Sequence, residues 1–172
     1  MPTGVLLAAE RTITYCGTIN PPPRVVLDVG AGYGKLGVLA REYIDPTPLI
    51  VGVEAWQPYI AAHRLAGIYD ELHATDILDL DQAVLDQADL VIMGDVIEHI
   101  HKEPALQLLE RIRGWVVIST PADWFDTGPG LPPTEAHVSH WTADDLAATG
   151  RLDRHETSHG ALLARLRPLP GG

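Results

Sequence analysis

Cysteine, phenylalanine and basic side chains are the scarcest chemistry in this 172-residue chain, which has one Cys, one Phe and only 12 Lys and Arg. The lone Cys16 can close no internal disulfide, and it lacks the near Cys or His neighbours of a zinc knuckle, which fits a reducing, cytoplasmic setting. Against those 12 cations stand 23 Asp and Glu, giving a formal net charge of -11. Such a balance opposes attraction to phosphate backbones and anionic membranes and disfavours nucleic acid as a partner. No stretch approaches the roughly 18 apolar residues of a membrane span, and the apolar run Val5 to Ala9 is too short for a secretory signal core. The expectation is a soluble protein that is not exported. Repeats and low-complexity tracts are also absent.

What is present is enough for one core. At 46% hydrophobic content, a chain of this length buries about two thirds of its unfolded surface, which supports a single domain. From Arg24 onward, short β-branched runs alternate with helical patterns, the mark of βαβ units and a mainly parallel sheet. Strands are predicted at Val25 to Val29, Leu49 to Val53, Glu71 to Ala74, Leu90 to Met93 and Trp115 to Ser119. Helices are predicted from about Tyr33 to Tyr43, after Pro58, and from Lys102 to Arg113 with Pro104 in the first turn. A Pro- and Gly-rich loop, Pro121 to Pro133, follows. Thr142-Ala143-Asp144-Asp145 reads as an N-cap and acidic first turn of a helix to Ala148. Arg151 to Thr157 and Ala161 to Arg167, joined by Ser158-His159-Gly160, demand an antiparallel hairpin. The predicted architecture is an α/β, Rossmann-like three-layer sandwich with a seven-stranded, mainly parallel sheet and a reversed last strand. Residues 1–23 form an N-terminal helical or loop segment on the sheet, and residues 24–170 form the domain.

Three glycines at alternate positions follow the first strand in Val26-Leu27-Asp28-Val29-Gly30-Ala31-Gly32-Tyr33-Gly34. Residues without Cβ let backbone approach a ligand closely. Gly32, Gly34 and Gly37 also spell the dinucleotide fingerprint, so a NAD-dependent oxidoreductase stays open on this loop alone. Glu54 ends the second strand, where a carboxylate can accept from both hydroxyls of a ribose. Asp76 after the third strand supplies an acceptor for an adenine amino group, with Ile77 beside it to pack on the ring.

With Leu27-Asp28-Val29-Gly30-Ala31-Gly32-Tyr33-Gly34, Val51-Gly52-Val53-Glu54, Ala74-Thr75-Asp76-Ile77 and Asp89 to Ile100, the chain resembles the class I S-adenosylmethionine-dependent methyltransferases. The resemblance runs nearly the whole chain from Arg24. It implies that Asp28 lies near the methionine moiety, that Gly30 and Gly32 approach the ligand, and that Glu54 holds the ribose. Ala31, Ala55 and Asp95 join Asp76 and Ile77 as expected cofactor contacts. Tyr33 in the loop either contacts the ligand or covers it, and Trp56 either stacks on adenine or packs.

Asp95, Glu98 and His99 follow the fourth strand at the carboxyl edge, where doubly wound sheets bind ligands. One helical turn there would bring all three onto one face. His137 and His140 lie in a later segment that must cross the same edge. The pattern is similar to the metal motif of the ubiquinone-pathway O-methyltransferases and the small-RNA 2′-O-methyltransferases, which use a divalent cation. That resemblance implies Asp95, Glu98, His99 and His137 as ligands, although both groups place glutamate where this chain has Asp95. Without a metal, His99 remains a candidate general base. His101 is read as capping the next helix or facing solvent, and His63, His73, His155 and His159 as structural or exposed. Transfer to the oxygen of a small-molecule acceptor is the favoured reading. A non-catalytic cofactor-binding module is a further alternative.

Overall fold

The computed structural model describes residues 6–124 and 133–170. Seven strands form one sheet in the order β3-β2-β1-β4-β5-β7-β6. These are β1 (Val25–Val29), β2 (Leu49–Val53), β3 (Glu71–His73), β4 (Leu90–Gly94), β5 (Trp115–Pro121), β6 (Leu152–Ser158) and β7 (Ala161–Leu166). The first five run parallel, and β7 is antiparallel to both β5 and β6. The reversed last strand follows from the tight turn between β6 and β7, where His159 and Gly160 take positive φ of 53° and 77°. A turn that short can join only antiparallel neighbours.

Among the described residues, six α-helices cover the two faces: α1 (Leu6–Gly17), α2 (Lys35–Tyr43), α3 (Gln57–Ala62), α4 (Gln82–Gln87), α5 (Lys102–Arg111) and α6 (Ala143–Ala147). Alternation along the strands divides the core between the faces. Val26, Ile50 and Ile92 pack with Ile13 and Cys16 of α1 and Ala40 of α2. Leu27, Val51 and Met93 pack on the other side with Leu85, Leu108 and Leu146, from α4, α5 and α6. The amino-terminal segment is thus part of the core through α1. Among the described residues, no helix is long and apolar enough to cross a membrane.

Departures from the sequence reading are local. Gly34, at a left-handed φ of 77°, delays α2 to Lys35. Helix α4 was not foreseen, because six residues carry too little periodicity. Strand β5 extends two residues past Ser119 through its pairing with β7. Thr142 caps α6 in a capping box with Asp145, as its spacing implied. His101 sits at the start of α5, but its side chain makes no capping bond; it faces solvent. Of the predicted Pro121 to Pro133 loop, residues 125–132 lie outside the described part.

Candidate functional site

Strands β1, β2 and β4 deliver the glycine loop, Glu54 and the Asp95 to His99 turn to the carboxyl edge of the sheet. Gly30 and Ala31 both donate backbone N–H to the Val53 carbonyl, at 2.9 and 3.0 Å, which ties the loop over β2. Gly30 has a φ of 69°, and a Cβ built on it would lie 2.5 Å from Val96 Cγ2. Only glycine fits between the loop and the β4 turn. The glycine loop and the Asp95 to His99 segment therefore abut.

Glu54 is 6% exposed and accepts from both sides of the cleft. Its Oε2 takes the Gly32 N–H and its Oε1 the Trp56 N–H, each at 2.7 Å. A carboxylate offers about four lone-pair sites, so each oxygen keeps acceptor capacity for a diol. Ala55 beside it is exposed, and Ala31 is buried. Asp76 is exposed and uses Oδ1 to cap its own turn through the Leu78 N–H at 2.9 Å; Ile77 next to it is buried.

Asp28 is turned under α2 rather than opened onto the edge. It is 1% exposed, its Oδ2 accepts from the Tyr69 hydroxyl at 2.6 Å, and its Oδ1 has no hydrogen-bond partner among the described residues. Tyr69 fills a slot left by two glycines: a Cβ on Gly37 would lie 2.5 Å from Tyr69 Cε1, and one on Gly52 would lie 2.8 Å from Cγ. Packing against Tyr69 thus explains the third glycine of the apparent dinucleotide register.

Burial pushes the Asp28 carboxyl up to about 7, with the Tyr69 bond opposing and the Glu54 charge adding. A carboxyl raised in the folded state binds more protons folded than unfolded. Its stabilising contribution is therefore complete below the unfolded value of about 3.9 and is lost as pH rises through the folded one. Compared with Asp28→Asn, the wild type is expected to lose urea resistance between about pH 4 and pH 7. A midpoint difference that does not change with pH would show that Asp28 titrates normally.

After β4, Asp95 adopts φ 55°, a left-handed conformation that Asp tolerates better than most residues. The chain then makes a 3₁₀ turn, Ile97–His99. Because Asp95 lies outside that turn, the expected single face does not form, and Asp95 does not join Glu98 and His99 in one ligand set. Burial raises the Asp95 carboxyl, while the positive charge of Lys35 is the largest influence pulling it down. Glu98 is 2% exposed. Its Oε2 accepts from Thr120 Oγ1 at 3.0 Å, whereas Oε1 has no partner among the described residues. Burial, with Asp95 second, pushes Glu98 up to about 8.

His99 is oriented by the Ala136 carbonyl, 3.0 Å from Nδ1. A carbonyl only accepts, so Nδ1 carries the hydrogen and Nε2 is the proton-accepting end of the neutral ring. The 136–141 segment is stitched to this turn. Val138 and Ser139 donate their N–H groups to the Glu98 carbonyl at 2.9 and 3.1 Å. Ser139 Oγ donates to Ile100 O at 2.7 Å, and the buried Trp141 Nε1 donates to Ser139 Oγ at 2.8 Å. His137 is thereby carried to His99, with ring centroids 5.0 Å apart. One ligand atom each from Glu98, His99 and His137 lies within 4.8 Å of the others.

Other residues at the edge escaped the sequence reading. Thr120 holds Glu98, and Lys35 stands beside Asp95; neither belongs to a motif. His63, read as structural or exposed, packs with its ring centroid 3.8 Å from that of Tyr33 in the glycine loop. Helix α3 folds back across the loop and carries Tyr59 there as well, 6.0 Å from Tyr33. Tyr33, 41% exposed, is the outer member of this aromatic group. Trp56 begins α3 half-buried.

The sequence matches the family described as "Methyltransferase domain" over residues 5–151. No curated protein matches it by sequence. Among solved structures, the N-terminal domain of EvdMO1 with SAH bound superposes with a TM-score of 0.66 at 18% identity, covering 94% of this chain and 81% of that one. The magnesium protoporphyrin IX methyltransferase ChlM from Synechocystis PCC 6803, also with SAH bound, gives 0.67 at 18% identity, covering 94% and 82%. The mitomycin 7-O-methyltransferase MmcR gives 0.66 at 15% identity, covering 94% and 54%.

Proposed function

The chain belongs to the methyltransferase-domain family, and on that premise we propose that it moves the methyl group of S-adenosylmethionine to a hydroxyl oxygen of a small acceptor. The observation that carries this reading is the placement of His99, with a fixed tautomer, on the turn that abuts the glycine loop. Two of the similar structures hold SAH, the demethylated product of that donor, and a third is named as an O-methyltransferase. The oxidoreductase and non-catalytic readings gain no such support.

In this reading the methionine end of the donor lies along Gly30, Ala31 and Gly32, above the buried Asp28. Glu54 and Ala55 border the ribose, Asp76 and Ile77 border the adenine, and Asp95 faces the transferring end. When bound, the sulfonium supplies an activated methyl group whose C–S bond breaks as the acceptor's O–C bond forms. Alignment is then most of the protein's task. The hydroxyl proton must also leave, and His99 Nε2 takes it and passes it to solvent.

Glu98, His99 and His137 also suit a divalent cation. They offer one oxygen and two nitrogens, and the buried Glu98 Oε1 has no partner among the described residues. Such a cation would be held through His99 Nε2, since Nδ1 faces the Ala136 carbonyl, and would replace His99 as base by lowering the pKa of an acceptor hydroxyl. Mixed nitrogen and oxygen donors favour zinc, manganese or cobalt over magnesium. Residues 24–170 form the catalytic domain, with α1 from the 1–23 segment packed against it. A cytoplasmic location is supported by the buried, unpaired Cys16.

Calorimetric titration tests the donor: SAH is expected to bind and NADH is not, and the reverse result would sink the proposal. Stripping metal with a chelator is expected to slow turnover, with zinc or manganese restoring it. An unchanged rate in the stripped protein would retire the cation and leave His99 as the base alone.

A further inference from the structure

Trp124 is the most exposed tryptophan given a place at this edge. It stands three residues past the end of β5, and 51% of its surface is open, whereas Trp141 is 1% exposed. Two imidazoles hold it. The His137 ring centroid lies 6.3 Å away at an interplanar angle of 55°, and that of His140 lies 6.4 Å away at 65°. His140 is pinned by its Nε2 donating to the Ala122 carbonyl at 3.0 Å, and Ala122 in turn donates its N–H to Gly160 O at 2.9 Å. The indole thus stands against a histidine that is itself bonded to the main chain just past β5. Through His137, whose ring is 5.0 Å from that of His99, it is one ring removed from the proposed base.

We propose that Trp124, flanked by His137 and His140, is the acceptor subsite, and that it takes a hydroxylated ring of neutral or positive charge by stacking on the ring's flat face. This rests on the methyl-transfer reading above. An open indole beside a polar, proton-accepting group matches a ligand that is apolar on one face and bears a hydroxyl at its rim. The charge requirement comes from the neighbourhood. Asp95 lies at the base of the site with Lys35 facing it, and the chain as a whole carries a formal net charge of -11. An anionic ring would enter against that negative field, and Lys35 is already opposed to Asp95. Two sources share the required chemistry: a phenol or catechol, and a sugar whose C–H face stacks on indole.

The test uses the full chain saturated with SAH and three probes: catechol, methyl β-D-glucopyranoside and 4-hydroxybenzoate. Binding is read by ligand-observed NMR. Catechol or the glucoside is expected to bind, and whichever binds identifies the source. Trp124→Ala is expected to weaken that probe about two- to tenfold, with Trp124→Phe recovering most of the loss for catechol. SAH affinity should stay within about twofold, because Trp124 belongs to the acceptor side. Since the indole is exposed, both variants should keep the wild-type urea midpoint. Equal probe binding to wild type and Trp124→Ala overturns the subsite, as does a failure of both neutral rings to bind. Binding of 4-hydroxybenzoate as tight as that of catechol overturns the charge requirement. If SAH itself does not bind, the methyl-transfer reading fails, and the same titrations on the unsaturated protein still decide whether Trp124 holds a ring.

Discussion

Replacing His99 by alanine is expected to reduce methyl transfer to a hydroxyl acceptor by about 10²- to 10⁴-fold, the usual contribution of a positioned general base. The donor's leaving group is activated before the protein acts, so the remaining barrier lies in aligning the acceptor and removing its proton. His99 is equipped for the second task by its bond to the Ala136 carbonyl, which fixes the hydrogen on Nδ1. It is held in place by the 136–141 segment rather than by the ligand. The substitution should therefore spare donor binding, and SAH affinity is expected to stay within about threefold of wild type. Single-turnover rates with saturating donor are the measurement. A folded His99→Ala protein that binds SAH and loses less than about tenfold in rate would remove His99 from the chemistry.

Glu54→Ala is expected to weaken SAH by about ten- to a hundredfold, the cost of losing charge-assisted bonds worth roughly 1.5 to 3 kcal/mol. The site makes the effect double. Glu54 faces the expected ribose position, and it also accepts the N–H groups of Gly32 and Trp56, so its loss unpairs a loop amide that is buried. Glu54→Gln separates the two contributions. Its amide has one carbonyl oxygen to accept with, and its NH₂ would oppose whichever N–H it faces. An intermediate affinity is expected, with a urea midpoint below that of the wild type. Calorimetry showing unchanged SAH affinity in a folded Glu54→Ala protein would move the ribose elsewhere.

Much of this edge could be read before any coordinates. Val25 to Val29 and Leu49 to Val53 are strands with the expected limits, because β-branched runs bounded by Pro and Gly leave the backbone few other options. Glu98, His99 and His137 were named from spacing and resemblance, and the fold brings them together. Asp95 was grouped with them on the premise of a helical turn, and its positive φ sets it apart. Asp28 was expected beside the donor, and its burial against the Tyr69 hydroxyl was not foreseen. His63 was read as structural or exposed, and that its partner is Tyr33 of the glycine loop was not foreseen. In each of these three cases the missing information was a backbone angle or a contact between distant segments.

The succession of the seven strands along the chain, the reversed last strand and the glycine turn were determined by the sequence alone. They depend on periodicity, on residues that require or forbid particular dihedrals, and on turns too short to permit a crossover, all of which act within a few neighbouring positions. Only the tertiary structure decided that His137 meets His99, that Thr120 and not a neighbour in the chain holds Glu98, and that Trp124 stands open beside two imidazoles. Those contacts arise where β4, β5 and the 136–141 segment come together at one edge of the sheet. Side-chain convergence across that distance depends on strand register and on bonds such as Ser139 to Ile100, which no local pattern in the chain encodes.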